Sequence, residues 1–230
     1  MAFPITHVVV AWHMLQQPTL AGRYTAAQQG EFLLGAWAPD GIHYRRGFDG
    51  AAMQHIGPAK KITHLCPVSP QPWGQVTDNT GWVACVGAFL AAHPDNALAA
   101  GYATHVLTDI YNNMTLWDDF RTTHPAEAAK GYQSEYYQDL RRIDLRLFHT
   151  YIETPPSPLL ALLEAATAQD FPGLVTAEEV HALRHNVLHI SYPHRPPEDT
   201  AQNTYSTWDD MQQFIHGAAT FAAKELYQLG

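Results

Sequence analysis

Ala100-Gly-Tyr-Ala-Thr-His-Val-Leu-Thr-Asp-Ile-Tyr-Asn-Asn113 sets His105 and Asp109 four residues apart inside a strongly helical pattern. One helical turn separates them. Both side chains therefore project from the same face, where an imidazole nitrogen and a carboxylate oxygen can converge on one cation. Tyr102, Val106, Leu107 and Ile110 are apolar enough to bury that face, and Gly101 and Ala103 are small enough to let another helix come close. A carboxylate desolvated there needs a metal or a matched donor. A His/Asp pair at this spacing also occurs as a hydrogen-bonded structural couple, so the rest of the chain has to decide between the two.

Working outward, helical patterns dominate. Residues from about Thr6 to Gln17 read as a short helix with Thr6 as its cap and His7 in its first turn. A second helix opens at Thr25 with a Thr-x-x-Gln box to Gln28, carries Phe32, Leu33, Ala36 and Trp37, and is stopped by Pro39, with Asp40 just past its end. From Gly41 to about Thr77 the composition turns to Gly, Pro, His and Arg without sustained period. A loop that long inside a compact domain is usually functional, and His64 lies in it. Helical patterns resume from about Asp78 to Ala92 and, with Asp95 as the cap, from about Asn96 to Asn113. A long helix follows from Pro125 to Glu153, where His149 and Glu153 again stand four apart. Further helices are expected from Pro158 to Ala168, from the Thr176-Ala-Glu-Glu box to about Ile190, and from Ser206 to Leu229. No stretch alternates as a strand. The expectation is an all-α multi-helix bundle forming one domain over residues 1–230, with chemistry-bearing side chains in 1–155 and the helices of 156–230 completing the bundle.

Composition narrows the function. Charged residues are 15% and hydrophobic ones 46% of 230 residues, and 14 histidines stand against 13 lysines plus arginines. Histidine is the commonest metal ligand, so this excess of imidazole favours metal chemistry. A formal net charge of −9 argues against duplex nucleic acid as a partner, because such affinity comes mainly from lysine and arginine contacts to phosphate. Two cysteines, Cys66 and Cys85, lack CxxC spacing and read as free thiols in a reducing compartment. With neither a signal peptide nor a membrane span in the pattern, a cytoplasmic protein without stable membrane insertion is expected.

In chain order the potential ligands are His7, Asp40, His64, His105, Asp109, His149 and Glu153. A set of imidazoles and carboxylates without thiolate suits zinc, and also accepts manganese or iron. Carboxylates can bridge two cations, so seven ligands can serve two neighbouring sites with positions open for water. Thr6-His7, Gly35-Ala-Trp-Ala-Pro-Asp40, His64, Gly101-Tyr-Ala-Thr-His105-Val-Leu-Thr-Asp109 and His149-Thr-Tyr-Ile-Glu153 together resemble the zinc-dependent phospholipase C family, whose mainly helical fold is shared in outline with the S1/P1 nucleases. The resemblance covers roughly residues 1–155. It implies that Asp40, His64, His105 and Asp109 gather one zinc and that Asp109 bridges to a second held with His7. It places His149 and Glu153 on a further zinc, and makes Asp40 the catalytic group that positions or deprotonates the attacking water. Two departures bear on the metal count, which is expected to be two, with three as the alternative. Secreted members use the amino group of the mature chain as a ligand, whereas Met1 here precedes His7 by six residues. They also carry a His shortly after the His-x-x-x-Asp pair, for which His124 is the nearest replacement in sequence.

The function expected from these residues is a metal-dependent hydrolase acting on a small-molecule phosphoester, either a phosphodiester or a phospholipid-headgroup-like substrate. The alternative is a helical metal-binding module without turnover. Arg45 and Arg46, beside the Asp40 loop, are the candidates for an accessory phosphate contact. His43 and His55 read as solvated loop residues, with lining of the pocket mouth as the alternative. His181, His185 and His189 read as surface or core positions, Tyr132, Tyr136 and Tyr137 as packing, and Asp139, Asp144, Arg141, Arg142 and Arg146 as ion pairs along one helix.

Overall fold

A computed structural model describes residues 3–48, 58–66 and 76–229. Eleven α-helices are found among the described residues: α1 (Pro4–Leu15), α2 (Ala26–Gly35), α3 (Pro58–Thr63), α4 (Asn79–Ala91), α5 (Ala97–Met114), α6 (Leu116–Thr123), α7 (Pro125–Ala128), α8 (Glu135–Phe148), α9 (Pro158–Ala165), α10 (Ala177–Asn186) and α11 (Trp208–Leu229). No strand occurs among them, so the fold is all-α, as the periodicity requires. None of these helices is long and apolar enough to cross a membrane.

The central element is α5, buried along nearly its whole length and packed against α1, α2, α4 and α11. It starts one residue later than the composition suggests, because the Asn96 side chain accepts from the Ala99 amide at 2.9 Å while Asp95 sits before it in the left-handed region at φ 55°. Two glycines bring α2 against α5. A Cβ placed on Gly101 would overlap the carbonyl oxygen of Phe32, and one on Gly35 would overlap that of Leu98. Only hydrogen fits at either position.

The first helix begins at Pro4, not Thr6, with proline in its first turn where the missing amide costs nothing. Its orphan amides find an acceptor from far along the chain. Asp144 on α8 accepts from Ile5 N at 3.2 Å, from Thr6 N at 2.7 Å and from Thr6 Oγ1 at 2.8 Å, and Tyr192 donates its hydroxyl to the same carboxylate at 2.6 Å. Thr6 therefore helps to tie α1 to α8 and does not cap the helix. Asp144 belongs to no surface ion pair: it is fully buried, and burial pushes its carboxyl up to about 6 against the donors that favour the carboxylate. Asp139 is likewise fully buried, and it accepts from the amides of Thr204, Tyr205 and Ser206 as well as from Arg142.

Two other expectations need correction. The region from Pro125 to Glu153 is not one helix: Gly131, at φ 55°, breaks it, a 3-10 turn spans Gly131–Gln133, and Ser134 restarts the helix by accepting from Tyr137 N. The last turn, His149–Glu153, widens to π-helical geometry. The stretch read as one long loop after Asp40 holds a 3-10 segment over Ala38–Tyr44 and then α3; His55 and the proline-rich stretch 69–73 lie outside the described residues.

The glycine contact gives a direct test of this packing. Gly101→Ala is expected to destabilise the fold by about 3 kcal/mol or more, since backbone on two helices has to separate. Urea unfolding followed by far-UV circular dichroism measures it.

Candidate metal centre

Five of the seven sequence-predicted ligands converge. The ligand atoms of Asp40, His64 and His105 lie within 4.8 Å of one another, as do those of His7, His105 and Asp109. All five residues are buried. Each arrives on a different support: His7 on α1, Asp40 on the 3-10 segment, His64 just beyond α3, and His105 with Asp109 on α5.

Hydrogen bonds outside the cluster fix which nitrogen each imidazole presents. His105 donates from Nδ1 to the Ala36 carbonyl at 2.8 Å, a contact that exists because Gly35 and Gly101 let α2 and α5 touch. His64 donates from Nδ1 to the Lys60 carbonyl at 3.0 Å. The backbone around His64 is held as well, by Trp82 Nε1 donating to the His64 carbonyl at 2.8 Å and by the Tyr102 hydroxyl donating to the Thr63 carbonyl. With both Nδ1 atoms committed to carbonyls, both Nε2 atoms carry lone pairs, as in metal-ligating histidines.

Those lone pairs face each other. His64 Nε2 and His105 Nε2 are 3.2 Å apart, Asp40 Oδ1 is 3.4 Å from His64 Nε2, and Asp109 Oδ2 is 3.8 Å from both imidazoles. Ligands of a tetrahedral zinc stand about 3.3 Å from one another, given bonds of roughly 2.0–2.1 Å. His7 adds to the case: it stacks on His105 with ring centroids 3.6 Å apart, its Nε2 is 3.6 Å from Asp109 Oδ1, and neither of its ring nitrogens has a hydrogen-bond partner despite full burial. Buried acceptors gathered this way are costly without an electrophile among them. The donor set therefore fits a metal ion, and these buried His and Asp groups could hold one.

Burial, helped by the neighbouring Lys60 ammonium, pushes the His64 imidazole down to about 4, and burial with the nearby His105 holds His7 well below its ordinary value. Burial alone would raise the Asp40 carboxyl, but the Lys60 ammonium together with the His43, His64 and His105 imidazoles holds it well below the usual range. For Asp109, burial raises the carboxyl, and the surrounding His7, His105 and His64 imidazoles contribute to a net lowering.

His149 and Glu153 are not brought to this cluster. They hydrogen-bond to each other at the surface, and His149 Nε2 also faces the Arg195 carbonyl at 3.0 Å. Both ring nitrogens of His149 thus face oxygens of Glu153 and Arg195 and not the buried cluster. His124 packs its ring against Phe120 and Tyr205. Arg45 is committed elsewhere, donating to both Glu179 oxygens at 2.6 and 3.0 Å and to the Leu174 carbonyl at 2.6 Å. His185 is exposed on α10, beside His189.

Sequence reading missed Lys60, which is 3% exposed and donates to Asp40 Oδ1 at 2.9 Å. Its spacing of four before His64, behind Pro58 as a helix opener, would have placed the two on one face had the stretch been read as helical.

No family model matches the chain, and no solved structure matches it. A stretch of 70 residues is 36% identical to StfE, an uncharacterized protein of Escherichia coli (strain K12), covering 29% of this chain and 39% of that one. The chain thus spans about two fifths of the length of this curated relative.

Two outcomes are expected. Asp109→Asn should lose at least one bound metal and His185→Ala should keep full occupancy, as counted by mass spectrometry under non-denaturing conditions; full occupancy in Asp109→Asn would place the site elsewhere. The second concerns pH. His64 titrates lower in the fold than in the unfolded chain, so the unfolded chain binds more protons between about pH 6.5 and pH 4 and stability falls as pH drops through that window. For His64 alone the loss approaches about 3 kcal/mol by pH 4, and His7 acts in the same direction. Urea unfolding of metal-free protein across that range checks it.

Proposed function

We propose that the protein is a metal-dependent hydrolase, a phosphoesterase acting on a phosphodiester or phospholipid-headgroup-like substrate, with zinc at its centre. The observation that carries this reading is the convergence of two carboxylates and three imidazoles, with one Asp109 oxygen towards each side of the cluster. His105 has a single nitrogen to offer, because its other is bound to Ala36, so it cannot serve both groups. Asp40, His64, His105 and one Asp109 oxygen then make one position, and His7 with the other Asp109 oxygen begins a second. The ligand order is also the one that resembles the zinc-dependent phospholipases C.

Divalent ions in such a centre lower the pKa of a water and neutralise charge on phosphoryl oxygens. The chain's own part is to hold and orient. His64 and His105 present their Nε2 atoms on fixed tautomers, and Asp109 sets its carboxylate between the two sides. Asp40 is held ionised by Lys60 together with the neighbouring imidazoles, so it suits the role of ligand and hydrogen-bond acceptor that positions a water better than that of a base that removes its proton.

A second reading, a metal-binding module without turnover, draws on burial: the Asp40 side chain is 12% exposed and those of His7, His64, His105 and Asp109 are 2% or less. One experiment separates the two. Purified protein should cleave a chromogenic phosphodiester, lose that activity on dialysis against chelator and regain it with zinc. Cleavage unchanged in metal-free protein contradicts the hydrolase reading at its root. Tight metal binding with no cleavage of any phosphoester under zinc, manganese or iron, together with unfolding on chelation, favours the module.

A further inference from the structure

Lys60 lies where a metal ligand set would not need a cation. Its Nζ is 2.9 Å from Asp40 Oδ1 and 3.0 Å from His43 Nε2, and the same Asp40 oxygen is 3.4 Å from His64 Nε2. The oxygen that an ion beside His64 and His105 would use is therefore the one this ammonium already holds. The backbone of Lys60 is tied to the same site, because its own carbonyl accepts from His64 Nδ1 and from the Thr63 hydroxyl. The placement of the ammonium and of the His64 ring is one piece of geometry.

We propose that Lys60 is a built-in counter-ion that holds the Asp40 carboxylate in place in the metal-free chain, and by occupying its Oδ1 weakens the binding of a divalent ion at the Asp40–His64–His105 position. The proposal rests on the metal reading above and adds to it what sets the strength of binding. In a buried site of low effective dielectric, an ammonium and a dication sharing one carboxylate oxygen repel strongly. Lys60 thus stabilises the metal-free state more than the metal-loaded one. His43, whose side chain is 25% exposed, supplies a second acceptor, so Nζ keeps a partner if Asp40 turns towards an ion.

The usual expectation for a polar residue beside a metal is that removing it weakens binding. Here the sign is reversed. Zinc titrations of the full chain in competition with a chromophoric chelator should find Lys60→Met about tenfold tighter or more, while its metal-free form melts at a lower temperature because Asp40 has lost that partner. Lys60→Gln, which keeps a donor for Asp40 and removes the charge, should also bind zinc more tightly, and it decides the matter if Lys60→Met fails to fold. Unchanged or weaker zinc affinity in folded Lys60→Gln overturns the proposal and leaves the metal reading standing. Absence of zinc binding in the unsubstituted chain overturns both.

Discussion

The contact between Gly35 and Gly101 is the constraint on which the rest depends. Because neither residue carries a Cβ, α2 and α5 approach until backbone meets backbone. That brings the Ala36 carbonyl to His105 Nδ1, four residues along α5 from Gly101. The tautomer of His105 is then fixed, its Nε2 lone pair points to His64, and Asp109 follows one turn later on the same face. Packing, tautomer and ligand geometry are thus successive results of two missing side chains.

Five ionisable groups packed into one buried volume would be costly if each carried its charge unopposed. The fold resolves this in parts. Burial keeps the His7 and His64 imidazoles neutral, Lys60 balances Asp40, and Asp109 is approached by three imidazoles. The support of His7 is electrostatic too, since α1 is anchored through its first-turn amides by Asp144 on α8. A helix N-terminus attracts a carboxylate, and here the carboxylate comes from 138 residues away along the chain.

Much of this was readable from local pattern. The His105/Asp109 pair, the closeness that Gly101 permits, the capping boxes at Thr25 and Thr176 and the all-α class all follow from spacing within a single helix. What failed depends on distance in sequence. Asp144 looked like a member of an ion pair along its helix because its neighbours on α8 are arginines, and nothing local says that it meets Thr6. His149 and Glu153 repeat the spacing of His105 and Asp109, yet their turn widens to π geometry at the surface and turns His149 towards Arg195. Equal spacing does not give equal burial. Lys60 was hidden because its segment reads as loop.

We propose that Asp40, His64, His105 and Asp109 enclose a metal ion. Anomalous difference density from crystals of the zinc-loaded protein, collected on both sides of the zinc absorption edge, tests it most directly. The expected result is a peak bounded by His64 Nε2 and His105 Nε2 and shared with carboxylate oxygens of Asp40 and Asp109. A strong peak at His149 and Glu153 with none among those four residues would contradict it.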